Sequence, residues 1–149
     1  MLRSSAHVSP SEAGRASLEF LSAAIVLLIP VMFLAMSLSS IQNAAVATEA
    51  AARNGARVFV QETNLQVAAS RAEQAVVVAL ANHGFESPEI LERSCSSRDC
   101  VAPGTVVVIR VGVEAPLFSS PFLPGFLGEA TIPVVAQASA MVSRYGGAP

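Results

Sequence analysis

A long apolar stretch near the start of the chain, from Leu18 to Leu38, limits the folds that the rest of the sequence can adopt. Glu19 is the only charged residue within it. As an α-helix this stretch is roughly 31 Å long, which matches the hydrocarbon core of a bilayer. Pro30 interrupts it near the middle, and membrane helices tolerate a proline when neighbouring groups satisfy the freed carbonyl. The sequence therefore predicts one membrane-spanning helix.

The carboxylate of Glu19 lies at the edge of this span and has two interpretations. In one, it lies at headgroup level, where an acid suits the positive end of the helix dipole. In the other, Glu19 has a functional role. An ionisable group within lipid is costly unless another charge compensates it, so its presence there indicates a function. The flanking charges predict the orientation, since Arg3 and Arg15 precede the span and Glu49 is the first charge after it. This asymmetry favours a cytoplasmic N-terminus and an extracytoplasmic C-terminal domain.

A glycine precedes Glu19 by five positions, so that Gly14, four residues, Glu19 and the apolar helix follow one another. This order resembles the class III signal of type IV prepilins and pseudopilins. The resemblance implies that a prepilin peptidase cuts between Gly14 and Arg15. It also implies that Glu19, as the fifth residue of the mature chain, neutralises the new amino terminus of a neighbouring subunit in lipid. The main filament subunits usually begin with an aromatic residue, whereas Arg15 stands at that position here.

Beyond the span the chain is predicted to continue as a helix with a broad face of small residues. Such a face allows another helix to approach closely, and the alternative is an alanine-rich stalk that only propagates helix. The stretch from Ala50 to Arg57 reads AAARNGAR. It resembles the motif that follows the span in TadE-like proteins, the minor pseudopilins of tight-adherence pilus systems. Arg53, Gly55 and Arg57 carry this second resemblance, so that the likeness covers the leader, the span and this motif.

The rest of the chain predicts a small α+β domain of pilin-like type behind a long helix that runs from about Ser17 to the region of Val60. A second helix is expected from Leu65 to about Asn82, with Gly84 just past its end. The alternating segments Val106 to Val113 and Ile132 to Val142 are expected to be strands that pair antiparallel and pack on the helices. Pro133 favours either an edge position for the second of these strands or a place at the start of that strand.

The segment from Phe85 to Pro103 is expected to be a loop, and it contains Cys95 and Cys100. Outside the cytoplasm a structural disulfide between these cysteines is the natural expectation. A thioredoxin-like site needs two intervening residues and a zinc site needs four ligands, and neither pattern is present. A second connecting segment, Phe118 to Leu127, brings much apolar area to a connection between strands. It is either a lid over the sheet or a patch that contacts lipid or a partner subunit.

Composition excludes several functions. The formal net charge is -2, and the nine basic residues are all arginines and are scattered, so no basic stripe for nucleic acid is present. His83 is the only histidine beyond the span. No phosphate-binding loop or metal motif accompanies it, so we expect neither a cofactor nor an enzyme.

The predicted organisation is a prepilin-type leader over residues 1–14, a transmembrane helix over 15–40 and an extracytoplasmic domain over 41–149. The resemblances imply a minor pseudopilin that supports or primes pilus assembly. Its expected partners are the cytoplasmic membrane, a prepilin peptidase, and other pilins and pilus assembly proteins. The alternative is a single-pass anchored binding module that is neither processed nor polymerised.

Overall fold

The computed structural model describes residues 10–117 and 130–145, and only the backbone of residues 10–15. The chain divides after Met36 into two compact units. The fold is α+β and pilin-like, as predicted, with a long apolar N-terminal helix, a second helix and a three-stranded antiparallel sheet. In chain order the elements are α1 (Pro10–Phe59), α2 (Leu65–Ala81), β1 (Ile90–Cys95), β2 (Val106–Pro116) and β3 (Thr131–Met141).

Helix α1 starts earlier than the prediction of about Ser17 and ends one residue before Val60. Proline is favoured at the first helical position because its fixed φ suits the helix and its missing N–H has no helical partner there. Pro10 therefore explains the early start. The part of α1 that begins at Ala16 is long and apolar enough to cross a membrane. Its large apolar side chains up to Met36 are exposed, except that of Phe33, which is half-buried.

The small-residue face of α1 is the centre of the second unit's core. Ala44, Ala47, Ala51 and Ala52 are each 0% exposed. They belong to one cluster with buried side chains of α2 and β2. This face of α1 therefore packs against α2 and β2 and is not a solvent-exposed stalk. The prediction that another helix approaches it closely is confirmed within the chain.

Both ends of α2 have the hydrogen bonds that a helix terminus needs. The side chain of Asn64 accepts from the backbone N–H groups of Gln66 and Val67. At the other end Gly84 N–H donates to Ala81 O at 3.0 Å, and Phe85 N–H donates to Leu80 O at 3.1 Å. With a φ of 85° at Gly84, this is a Schellman motif, and the predicted role of Gly84 is confirmed.

The sheet has the order β1-β2-β3, and both pairings are antiparallel. The predicted pairing of the last two strands is confirmed, and so is the edge position of Pro133 on β3. The apolar face of β2 is buried as the alternation predicts, and it consists of Val107, Ile109, Val111 and Val113.

The expectation of a loop throughout Phe85 to Pro103 is wrong, because strand β1 lies within it. Its register with β2 runs from Ile90 opposite Gly112 to Cys95 opposite Val107. Only the two end residues of β1 are half-buried and the four between them are exposed. An edge strand of this kind has no apolar alternation that a sequence pattern could reveal. The other predicted connection, Phe118 to Leu127, lies outside the described residues.

Two serines of α1 hold the end of β2. Ser37 Oγ donates to Leu117 O at 2.6 Å, and Ser40 Oγ donates to Pro116 O at 2.7 Å. The start of β2 lies toward the far end of α1, where Ile109 approaches Gly55. Within the second unit β2 therefore runs antiparallel to α1.

Candidate functional site

The predicted processing site lies in regular backbone. Gly14 and Arg15 are both within α1. A protease has to bind its substrate in an extended form, so cleavage at this bond requires the first turns of α1 to unwind. Glycine lowers helix stability by about 1 kcal/mol relative to alanine, which makes this position easier to unwind than the alanine-rich helix that follows.

Glu19 lies on an exposed part of α1 between large apolar neighbours. Leu18 and Phe20 on either side are 70% and 75% exposed. Ser22 Oγ donates to the backbone carbonyl of Glu19 at 2.9 Å. Among the side chains described, none forms an ion pair with Glu19. The carboxylate is thus accessible to a cation from outside the chain.

The three motif residues after the span have three different environments. Gly55 is buried where α1 meets α2 and β2. Arg53 is exposed and forms an i, i+4 ion pair with Glu49, in the orientation that favours helix. Arg57 is exposed on the flank of α1 that lies beside α2. It forms no ion pair with any residue of the described ranges. The motif therefore combines a packing residue, a helix-stabilising arginine and an arginine whose charge is available.

Arg57 lies in an open groove between α1 and α2, which we name the Arg57 groove. Arg71 of α2 contributes a second guanidinium to it, and this arginine also pairs with Glu62 outside the groove. The residues that line it comprise two arginines, three amides and apolar side chains, with no carboxylate: Asn54, Arg57, Val58, Arg71, Gln74, Ala75, Val78, Ala79 and Asn82. The groove is suited to a ligand that carries a carboxylate.

A second pocket lies on the opposite flank of α2, between that helix and β1. The guanidinium of Arg93 lies over the ring of Phe59, 5.0 Å from its centroid. Leu91 and Glu73 line the same pocket. No sequence pattern indicates this pocket, because β1 has no apolar alternation that would predict a strand beside α2.

Cys95 and Cys100 form the expected disulfide, with their Cα atoms 5.4 Å apart. Cys95 is the last residue of β1, and the bridge closes the chain that leaves this strand toward β2. Both cysteines are half-buried against the core. This half-buried position against the core is typical of a structural disulfide.

His83 has a structural contact at the end of α2. Its Nδ1 lies 3.2 Å from Asn43 Oδ1, and Asn43 Nδ2 donates to His83 O at 3.1 Å. Within the described ranges, no three histidine, cysteine or acidic residues come together as a metal site would require. His83 thus joins α1 to the end of α2.

Comparisons of the chain with protein-family models, curated proteins and solved structures find no match. A functional assignment therefore depends on the motifs of the chain and on the geometry described above.

Proposed function

We propose that this chain is a membrane-anchored minor pseudopilin of the TadE-like type, a structural or priming component in the assembly of a tight-adherence (type IVb) pilus. One observation carries the proposal. Gly14, Glu19 and the exposed apolar part of α1 follow one another in the order of a prepilin-type signal. The same helix continues without interruption to Phe59, at the centre of the α+β domain.

The continuity of α1 separates this signal from an ordinary secretory signal. A secretory signal has an apolar core of about 7 to 15 residues and is removed at its end. In this chain, removal of the apolar segment would cut α1 and delete the start of the helix whose later residues form the core. Cleavage after Gly14 leaves both parts of α1 in the mature protein.

In the proposed topology the protein crosses the cytoplasmic membrane once, with its N-terminus in the cytoplasm and its C-terminal domain outside. The charge asymmetry around the span supports this orientation. The disulfide between Cys95 and Cys100 supports an oxidising location for the domain.

The role that we propose is structural and not catalytic. Its partners are a prepilin peptidase, which processes the chain, and other pilins or pseudopilins, which pack beside its apolar helix. In this role Glu19 compensates a neighbour's amino terminus, and Gly55 and Arg53 stabilise the helical part of the domain.

Mass spectrometry of the N-terminus tests the proposal in cells with and without the prepilin peptidase. We expect chains that begin at Arg15 when the peptidase is present and uncut chains when it is absent. Gly14→Leu should leave an uncut, membrane-held precursor, because the peptidase has to fit closely against the backbone at this position. Ala6→Leu adds similar bulk elsewhere in the leader and should be processed normally.

If the N-terminus is the same with and without the peptidase, or if Gly14→Leu is cut normally, the prepilin-type assignment is wrong. A single-pass anchored binding module, neither processed nor polymerised, then becomes the better account.

A further inference from the structure

The two flanks of helix α2 carry opposite charges at the same level. On one flank is the Arg57 groove, where no carboxylate lines the surface. On the other flank is Glu73, which is exposed. Glu73 shares its pocket with Arg93, but that guanidinium lies over the Phe59 ring. Within the described part of the chain neither Arg57 nor Glu73 has an ion-pair partner.

The position of these groups on α2 follows from helix geometry. Arg71 and Gln74 are three residues apart and line the same groove beside Arg57. Glu73 follows Arg71 by two residues, which places it about 200° around the helix axis. It is displaced along that axis by only about 3 Å. The cationic groove and the free carboxylate thus lie at one height on opposite sides of the helix.

We infer that copies of this chain associate side by side, with Glu73 of one copy bound in the Arg57 groove of the next. Because the two surfaces lie at one level along the α2 axis, copies whose α2 helices lie side by side and parallel bring the groove of one copy to the carboxylate of the next. An arginine fork binds a carboxylate with two parallel hydrogen bonds. Val78, which is 61% exposed in the groove, adds apolar area beside the ion pair.

This contact uses two different surfaces, so it is heterologous, and a pair of copies keeps one free Arg57 groove and one free Glu73. Such contacts form open rows or helical arrays unless a rotation closes them. The inference goes beyond the proposed function and does not depend on cleavage after Gly14, so each can fail without the other.

The absence of lysine from the sequence provides a direct test. Arg57→Lys introduces the only side-chain amine of the chain. The full-length variant is placed in phosphatidylcholine vesicles, whose lipids have neither a free amine nor a carboxylate, and is treated with a carbodiimide. This reagent joins an amine to a carboxylate only when the two are in direct contact. Peptide mapping of a mixture of isotope-labelled and unlabelled chains distinguishes links between copies from links within one.

We expect covalent oligomers in which the introduced amine is joined to Glu73 of a differently labelled chain. Glu73→Gln in the same chain should abolish them. Arg53→Lys is the matched control, one turn earlier on α1, and should couple to Glu49 of its own chain. If this control couples but Arg57→Lys gives no link between copies, the inference is wrong. Links between copies that persist with Glu73→Gln also overturn it.

A charge swap gives a second, independent test in the same vesicles. Arg57→Glu and Glu73→Arg should each weaken association, measured by energy transfer between labelled copies, by roughly fivefold or more. The double variant restores opposite charges across every contact and should regain most of the association. A double variant that associates no better than either single variant contradicts the inference.

Discussion

The Cα of Gly55 on helix α1 lies directly against the side chain of Val76 on helix α2. A Cβ added to Gly55 would fall 2.7 Å from Val76 Cγ2 and 3.4 Å from Ile109 Cδ1. Real Cβ atoms essentially never approach another heavy atom as closely as the first of these distances. The contact between the helices therefore requires a residue without a side chain, which explains the glycine in the stretch from Ala50 to Arg57.

Gly55→Ala should destabilise the domain. Overpacking a close contact costs about 1 to 3 kcal/mol, and the higher helix propensity of alanine returns about 1 kcal/mol of it. We expect a net loss of up to about 2 kcal/mol in the free energy of unfolding, measured by urea denaturation of the full chain in detergent.

The control for this substitution is a double-mutant cycle with Val76→Ala. Removing the Val76 methyl groups opens space for the new Cβ, so the double variant should lose less than the sum of the two single losses. Purely additive losses, or an increase in stability in Gly55→Ala, would contradict the close contact.

Gly84→Ala should destabilise the domain through the backbone alone. Gly84 has a φ of +85°, and a Cβ built there has no heavy atom within 4 Å. An alanine in this left-handed region costs about 1 to 2 kcal/mol, while Gly84→Asn should cost less because asparagine tolerates that region better. Thermal unfolding of both variants measures the difference. Equal losses would indicate that the Schellman turn is not the cause.

The disulfide should make a limited contribution to stability. For the short loop between Cys95 and Cys100, which are 5 positions apart, the loop-entropy model gives about 2 kcal/mol. Replacing both cysteines by serine should lower the free energy of unfolding by no more than about this amount. Intact-mass measurement after alkylation without reductant should show no free thiol in the native chain. Two alkylated cysteines in protein from the cell envelope would contradict the bridge.

The sequence was sufficient for the elements whose burial follows a clear period. The alternation around Val107 to Val113 predicted both the strand and its buried face. The apolar residues of α2, together with Gly84, predicted a helix and its end. In these elements the positions of apolar residues along the sequence indicate which side chains are buried, because burial repeats with the helix or strand period.

The sequence was insufficient where the structure depends on a partner element. Strand β1 has four exposed residues in succession, so only its backbone pairing with β2 makes it a strand. The Arg57 groove has the same origin, because Arg57 and Arg71 are brought together by the crossing of two helices. The spacing of arginines along the chain contains no signal for this proximity.

The two interpretations of Glu19 make different predictions for its substitution. If the carboxylate compensates a neighbour's amino terminus, Glu19→Ala leaves an unpaired charge in lipid, which costs several kcal/mol. We then expect cleavage after Gly14 to proceed normally while pilus assembly fails. If the Glu19 carboxylate only interacts with the positive end of the helix dipole, its loss costs about 0.3 to 1 kcal/mol of helix stability. Pili should then form in near-normal amounts.

Substitutions of similar shape separate the charge of Glu19 from its size. Glu19→Gln keeps the length of the side chain but removes the charge, and it should block assembly as Glu19→Ala does. Glu19→Asp keeps the charge on a shorter side chain, so it should retain part of the assembly. N-terminal mass spectrometry and the amount of pili sheared from cells, measured together for all three variants, decide the matter. Normal assembly in Glu19→Gln would show that no ion pair forms at this residue, because a neutral amide cannot compensate an amino terminus within lipid.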